Sequence, residues 1–337
     1  MKLSSANKYK LSCLLSGGLG NQLFQIFATI SQSCNSNRKF IFAYESRTTG
    51  MTYRRTYWDD FLIGLRPFTT IQASNGTSNE DIYRRFAKLQ HTQHHYEPLT
   101  LPDVDVCLIG YFQSYKYFDN YKNVIFSMMK LTQQKLNLLE SIRDTNIEIA
   151  YRSNIENRGV SGLKGKFSIK HYDTDNDSDN DHTDIYTISM HFRVGDYVTV
   201  SDCHPVLDAS YYKNSLEKVI CLLEENNTNF NQLKVFVFYE TVDKRHVDKI
   251  INELQDMHPY IEFIRDIQYH LKEDWQQMLL MSCCHSNIIA NSTFSWWGAY
   301  LNEDVDYVIY PSKWFGPKLA HHQMQTMFLN KWICVDA

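Results

Sequence analysis

The stretch Leu14–Ile30, "LLSGGLGNQLFQIFATI", changes its hydrophobic period halfway along. Leu11, Cys13 and Leu15 alternate as on a strand, whereas Leu23, Ile26, Phe27 and Ile30 recur at helical spacing. Gly17, Gly18 and Gly20 make the corner between the two periods. A strand, a glycine turn, a helix and then the apolar run "KFIFAYE" from Lys39 predict a βαβ start, and with it an α/β fold built on parallel strands. Free N–H groups at the start of such a helix suit an anion. As a dinucleotide fingerprint the turn is incomplete, since Leu23 stands where a third glycine packs helix on strand, while Glu45 after the next strand is a candidate to hold a ribose. On these residues alone a nucleotide site and a tight corner both remain open.

The same alternation governs the C-terminal half. From Ile185 short apolar runs ("IYTISMHFR", "LKVFVFYE", "IEFIRD", "NIIA", "YVIYP") alternate with amphipathic segments at residues 210–225, 242–257, 273–284 and 294–301. That rhythm predicts a Rossmann-like parallel sheet with helical crossovers. The segment Glu273–Cys284 puts Trp275, Met278, Leu279, Ser282 and Cys283 on one stripe and offers Asp274 as a cap. Residues 48–105 predict a loop-rich region, and residues 115–150 one or two helices.

At 337 residues the chain is long for one core and predicts two domains with a cleft between them. The expected division is 1–165 as an N-terminal α/β domain, 166–184 as an acidic low-complexity insertion ("KHYDTDNDSDNDHTD" from Lys170), and 185–337 as the C-terminal domain with a terminal segment. The tract carries Asp-x-Asp triplets, and its aspartates mimic an EF-hand register. Ser178 stands where that loop needs glycine, and a closing Glu is missing. A net charge of −4 gives no general attraction for nucleic acid or an anionic membrane. No apolar run reaches the ~18 residues of a membrane span, and "MKLSSANKYKLSCLL" is too short for a signal core, so a cytoplasmic protein is expected. Eight cysteines without paired spacing fit free thiols in a reducing compartment. "CCH" at Cys283–His285 reads as a buried helix end rather than a metal site.

Two further stretches carry chemistry. In "SMHFRVGDY", Ser189–Tyr197, strand alternation puts His191 and Arg193 on one face, with Gly195 ending the strand and Asp196 at its tip. Arginine at the carboxyl edge of a parallel strand suits a phosphate, while an Arg193–Asp196 structural pair beside a core histidine is the competing reading. In "NIIANSTFSWWGAYL", Asn287–Leu301, a strand runs into Ser292 and Thr293, both good helix caps, so Asn291, Ser292, Thr293 and Phe294 form a second anion-suited helix start. Trp296 and Trp297 are expected in the core.

Taken together, "GGLGNQLFQ", "GYFQSYKYF" (Gly110–Phe118), "HFRVGDY" and "NSTFSWWGAYLN", followed by "PSKWF", resemble glycosyltransferase family 11, the α-1,2-fucosyltransferases, in order and separation. The resemblance implies a GT-B architecture, an α/β fold of two facing Rossmann-like domains. It also implies an inverting transfer of L-fucose from GDP-fucose to the 2-hydroxyl of a terminal galactosyl glycan, without a metal or other cofactor. Arg193 then looks like the arginine that binds the donor diphosphate, with His191 and Asp196 beside it in the catalytic motif. Asn291, Ser292, Thr293 and Phe294 look like donor pocket, and Gly20, Asn21 and Gln22 like a lip closing on the donor. Two departures stand out: Val194 where the family commonly has a second arginine, and Tyr239-Glu240-Thr241 where Ser-Asp-Asp is usual. Asp196, His191 and Glu240 are the candidates for the base. The rivals are another linkage or acceptor, with acceptor choice expected in residues 48–105, a non-catalytic GDP-sugar or glycan-binding protein, and an NAD-dependent oxidoreductase, which Leu23 disfavours.

Overall fold

The computed structural model describes residues 8–48, 54–72, 76–142, 150–151, 167–168 and 185–337. It divides into two compact units. The first holds the described residues up to Gln134 together with His321–Leu329, and the second runs from Lys135 to Ala320 and resumes at Asn330–Ala337. The acidic tract and its Asp-x-Asp triplets lie outside the described residues.

The first unit is built on the opening stretch. Strand β1 (Lys10–Cys13) passes through the glycine corner into helix α1 (Leu19–Asn35) and then β2 (Lys39–Phe40). β3 (Ala87–Gln90) and β4 (Val106–Ile109) complete a parallel sheet of order β2-β1-β4-β3. The helix begins at Leu19 with Gly18 in the N-cap position, so Gly20 and Gln22 fall inside its first turns and are buried. Leu23, Phe24, Ile26, Phe27 and Ile30 are wholly buried on α1, and the Phe27 ring meets Phe118 edge-on at 5.5 Å. Residues 48–105, predicted to be loop-rich, hold a 3-10 segment (Ile63–Phe68), a π-helical turn (Asp81–Arg85) and β3 among the described residues. Helix α2 (Lys122–Met129) follows.

Helix α3 (Leu131–Ile142) spans the division, which falls at Gln134 rather than near residue 165. After it come a two-residue antiparallel pair, β5 (Ala150–Tyr151) with β6 (Phe167–Ser168), and then the second sheet. β7 (Ile185–His191), α4 (Ala209–Glu225), β8 (Gln232–Phe238), α5 (Lys244–Met257), β9 (Ile261–Ile264), α6 (Asp274–Met281), β10 (Ser286–Ile288), α7 (Thr293–Tyr300) and β11 (Tyr307–Pro311) follow the predicted alternation, and β12 (Ile333–Val335) adds a strand beyond it. The six strands are all parallel, in the order β12-β11-β10-β7-β8-β9. Numbered from β7, that is the doubly wound order 3-2-1-4-5-6, whose switch point lies between β7 and β10. All seven residues of β7 are buried, as a central strand covered on both faces requires.

Helix α6 is capped by Glu273, not by Asp274. The Glu273 side chain and Gln276 form a reciprocal capping box, in which the Glu273 N–H donates to Gln276 Oε1 at 3.0 Å. Asp274 already has helical geometry and is one residue too late to accept from the N3 amide. His285 accepts from the Thr187 N–H at 3.1 Å, which agrees with the structural reading of the cysteine pair before it. All eight cysteines are free thiols. No helix among the described residues is long and apolar enough to cross a membrane.

Both ends of α7 are tied down. At its start the Ser292 hydroxyl accepts from the Phe294 N–H at 3.3 Å. Near its end Lys135 Nζ donates to the Leu301 carbonyl at 2.8 Å and, at the end of α6, to the Ser282 carbonyl at 3.4 Å. A cation here offsets the negative ends of two helix dipoles, and burial holds the Lys135 ammonium below its usual range. This dock of α3 onto α6 and α7 explains why the division falls so early. Lys135→Met, which keeps the apolar stem, is expected to cost about 1–2 kcal/mol. Urea unfolding of the two proteins checks this, and an unchanged midpoint would remove Lys135 from the account.

Candidate functional site

The carboxyl edge of the second sheet collects the predicted residues of that unit. β7 pairs in register with β8, His191 opposite Phe238, and the ladder ends with the Phe192 N–H donating to the Phe238 carbonyl at 2.8 Å. The strand therefore stops at His191, not at Gly195. Arg193 and Glu240 each lie two residues beyond the last paired position, and this register brings them side by side. Arg193 Nη1 donates to Glu240 Oε1, and Nη2 donates to Asp196 Oδ1 at 2.6 Å. Gly195, at φ +30°, turns the chain into a short 3-10 segment, and its N–H donates to both Asp243 carboxylate oxygens at 3.0 Å. Asp243 is buried, while the Asp196 and Glu240 side chains are more than half exposed.

The Arg193–Asp196 pair of the competing reading is thus present, and Glu240 joins it. The sequence showed Glu240 as a departure from Ser-Asp-Asp without showing what it touches. Asp243 and Tyr197 went unrecognised altogether. The signal available was the acidic content of the segment after β8, which any Rossmann-type strand order places beside the end of β7.

His191 is buried, and its ring centroid lies 5.7 Å from that of Phe294 on α7. Burial, with Arg193 adding to it, pushes the imidazole pKa down to about 3, so His191 is neutral at pH 7 and accepts protons poorly. Tyr197 bridges the two motifs. The Arg193 guanidinium lies 5.1 Å from the Tyr197 ring centroid, and the Tyr197 hydroxyl donates to the Asn291 carbonyl at 3.1 Å, 94 residues away in the chain. Asn291 is itself buried, with Nδ2 donating to the Pro205 carbonyl at 2.8 Å and Oδ1 enclosed without a protein partner. Ser292 is buried as the cap, whereas Thr293 and Phe294 are half-exposed on the first turn of α7. Val194, where a second arginine was looked for, is buried.

Gly20, Asn21 and Gln22 belong to the first unit, at the carboxyl end of β1. Gln22 Nε2 donates to the Gly17 carbonyl at 3.1 Å and the Arg55 carbonyl at 2.8 Å, so this side chain secures the turn. Gln25 does the same from one turn on, donating to Ser16 Oγ at 3.0 Å and to the Gly110 carbonyl at 3.1 Å. Only Asn21 of the three keeps an exposed part. Among the described residues no group of three or more His, Cys, Asp or Glu is arranged to hold a metal ion.

The depressed His191 pKa has a thermodynamic consequence. The unfolded chain takes up this proton below pH 6.5 and the folded chain only near pH 3, so stability falls as pH drops through that window. One such group contributes up to about 1.4 kcal/mol per pH unit. His191→Gln is expected to lose stability less steeply between pH 6.5 and 4. Parallel curves for the two proteins, measured by chemical unfolding, would show that burial does not disfavour the charged imidazole.

The chain is similar along almost its whole length to the O-antigen biosynthesis glycosyltransferase WbnK of Escherichia coli, at 27% identity over 96% of this chain and 99% of the relative. It is 34% identical to an α-1,2-colitosyltransferase of Escherichia coli over 38% of this chain and 41% of the relative. Among solved structures it shares a loose likeness with the fucosyltransferase NodZ from Bradyrhizobium, at TM-score 0.39 and 9% identity over 89% of this chain and 95% of that one. A mutant of Arabidopsis thaliana FUT1 in complex with GDP gives TM-score 0.42 and 12% identity over 96% and 74%. Residues 175–336, which hold Arg193 and the start of α7, match the family described as glycosyl transferase family 11.

Proposed function

We propose that the chain is a family 11 glycosyltransferase that transfers L-fucose from GDP-fucose, with inversion and without a metal cofactor, to the 2-hydroxyl of a terminal galactosyl residue in an oligosaccharide or glycoconjugate. One observation carries this reading. At the switch point between β7 and β10, where doubly wound sheets take nucleotides, the tip of β7 with Arg193 meets the capped start of α7. A guanidinium and a helix N-terminus converging there suit a diphosphate. The names of the two Escherichia coli relatives support glycosyl transfer and an α-1,2 linkage.

In this reading the bond from fucose to the diphosphate breaks with oxocarbenium character, and charge builds on GDP. Arg193 offsets that charge, with the N–H group of Thr293 at the start of α7, and one such preorganised donor is worth roughly 3 kcal/mol, or ~100-fold in rate. Both arginine amino groups are held by carboxylates, so an incoming diphosphate takes the place of at least one of them. The released carboxylate, Asp196 or Glu240, is then free to receive the proton of the acceptor hydroxyl. His191 packs against Phe294 and stays neutral. In the first unit Asn21, at the carboxyl end of β1, is assigned to substrate contact.

A second reading rests on the α-1,2-colitosyltransferase: the same linkage made with colitose in place of fucose. Kinetics with each sugar nucleotide, followed by linkage analysis of the product, separates the two. Arg193→Ala is expected to lower transfer by at least about 100-fold with the fold intact. Transfer within about tenfold of the wild type would overturn the assignment. EDTA is expected to leave the rate unchanged, and a loss restored by a divalent ion would refute metal independence. Asp196→Asn and Glu240→Gln, compared across pH, identify the base as the variant that loses turnover while keeping its affinity for GDP.

A further inference from the structure

The first unit is wired through the motif "GYFQSYKYF". Gly110, at φ +151°, has room for no side chain, since a Cβ would fall 2.3 Å from the His91 carbonyl oxygen. Phe112 is fully buried at φ +54°, a left-handed conformation that costs a bulky residue of order 1–3 kcal/mol and survives only where the surroundings impose it. Its ring stacks on His91 at 5.2 Å, and His91 Nε2 pairs with the Tyr117 hydroxyl at 2.9 Å. The Ser114 hydroxyl donates to the Thr326 carbonyl, and the Tyr96 N–H to Thr326 Oγ1 at 2.8 Å, which ties His321–Leu329 to this unit. What this strained segment delivers to the first turn of α1 is the side chain of Gln113.

Gln113 is buried, and its Nε2 donates to Asn21 Oδ1 at 2.9 Å. Its Oε1 faces His94 Nδ1 at 3.3 Å, and because an amide oxygen only accepts, His94 carries its proton on Nδ1. Each link therefore sets the orientation of the next. With Asn21 Oδ1 engaged, Nδ2 is left on the side of Gly17, within 2.5 Å of where a Gly17 Cβ would stand. Gly17 is at φ +77° and has no Cβ, and a Cβ on Gly18 would meet nothing within 4 Å. The two glycines form an open floor with an amide donor at its edge.

We propose that Gln113, held by His94, is a positioning residue that turns the Asn21 amide so that Nδ2 donates to a substrate oxygen lying over Gly17 and Gly18. The inference rests on the proposed transfer reaction for the identity of the substrates. It excludes a substrate donor group at this point, since Asn21 presents no acceptor there. The substrate whose KM responds identifies the oxygen as belonging to the sugar nucleotide or to the glycan.

The test is a double-mutant cycle in transfer kinetics. Gln113→Glu keeps the shape but sets an oxygen against Asn21 Oδ1, forcing the amide over. Asn21→Asp keeps the acceptor for Gln113 and replaces the outward donor by oxygen. Each is expected to lower kcat/KM about 10- to 100-fold, mainly through KM of one substrate, with the double variant losing no more than the worse single. Gln113→Ala, which leaves Asn21 free to turn, is expected to lose less than Gln113→Glu. Gln113→Glu or Asn21→Asp within about twofold of wild type, or losses that multiply in the double, overturn the relay. Should the wild type transfer no fucose, the functional reading fails on its own, and the relay is read from melting temperatures of Asn21→Ala, Gln113→Glu and their double. A double within about 1 °C of the lower single supports the relay, and additive shifts overturn it.

Discussion

The register of β7 against its two neighbours is the constraint from which the site follows. β7 pairs with β8 over its whole length, and with β10 from Ile188 to Met190. That pairing sets Arg193 beside Glu240 on one side and His191 beside Phe294 on the other. A shift by one residue would reverse the faces of every β7 side chain, and a strand buried on both faces tolerates no such shift. The arginine is thus placed by the apolar packing of the strand before it.

The two units use the same device with different chemistry. In each, the first strand lies where the strand order turns back, and the segment leaving its carboxyl end carries the polar residues. In the second unit that segment holds Arg193, Asp196 and the Gly195 amide, which meet Glu240 and Asp243 from the segment after β8. In the first it holds amides: Gln22 and Gln25 secure the glycine turn from within, and Gln113 reaches Asn21 from another segment. Charges suit a partner whose charge grows during a reaction, and amides suit neutral groups recognised by direction.

Much of the fold was legible because its signals are local. The period change across Leu14–Ile30 marks β1 and α1, and the alternation from Ile185 marks nine successive elements, β7 to β11 with their crossovers. Boundaries were less legible. α1 starts at Leu19 because Gly18 has the extended backbone of an N-cap, and α6 takes Glu273 as cap because Gln276 answers it from three residues on. The break between units falls at Gln134, where Lys135 finds two helix ends far along the chain. No composition shift marks that point.

The site divides along the same line. Residue types suited to an anion are readable along the chain: Arg193 after an apolar strand, Ser292 and Thr293 before a helix, and the glycines that open the first turn. These are properties of short segments, set by side-chain chemistry and backbone freedom. It takes the folded chain to show that Glu240 shares Arg193 with Asp196, that Asp243 holds the Gly195 amide, that Gln22 is engaged inside its turn, and that Gln113 bonds Asn21. Each of those contacts joins residues brought together by strand order or by turn geometry, and a hydrogen bond depends on where both partners lie.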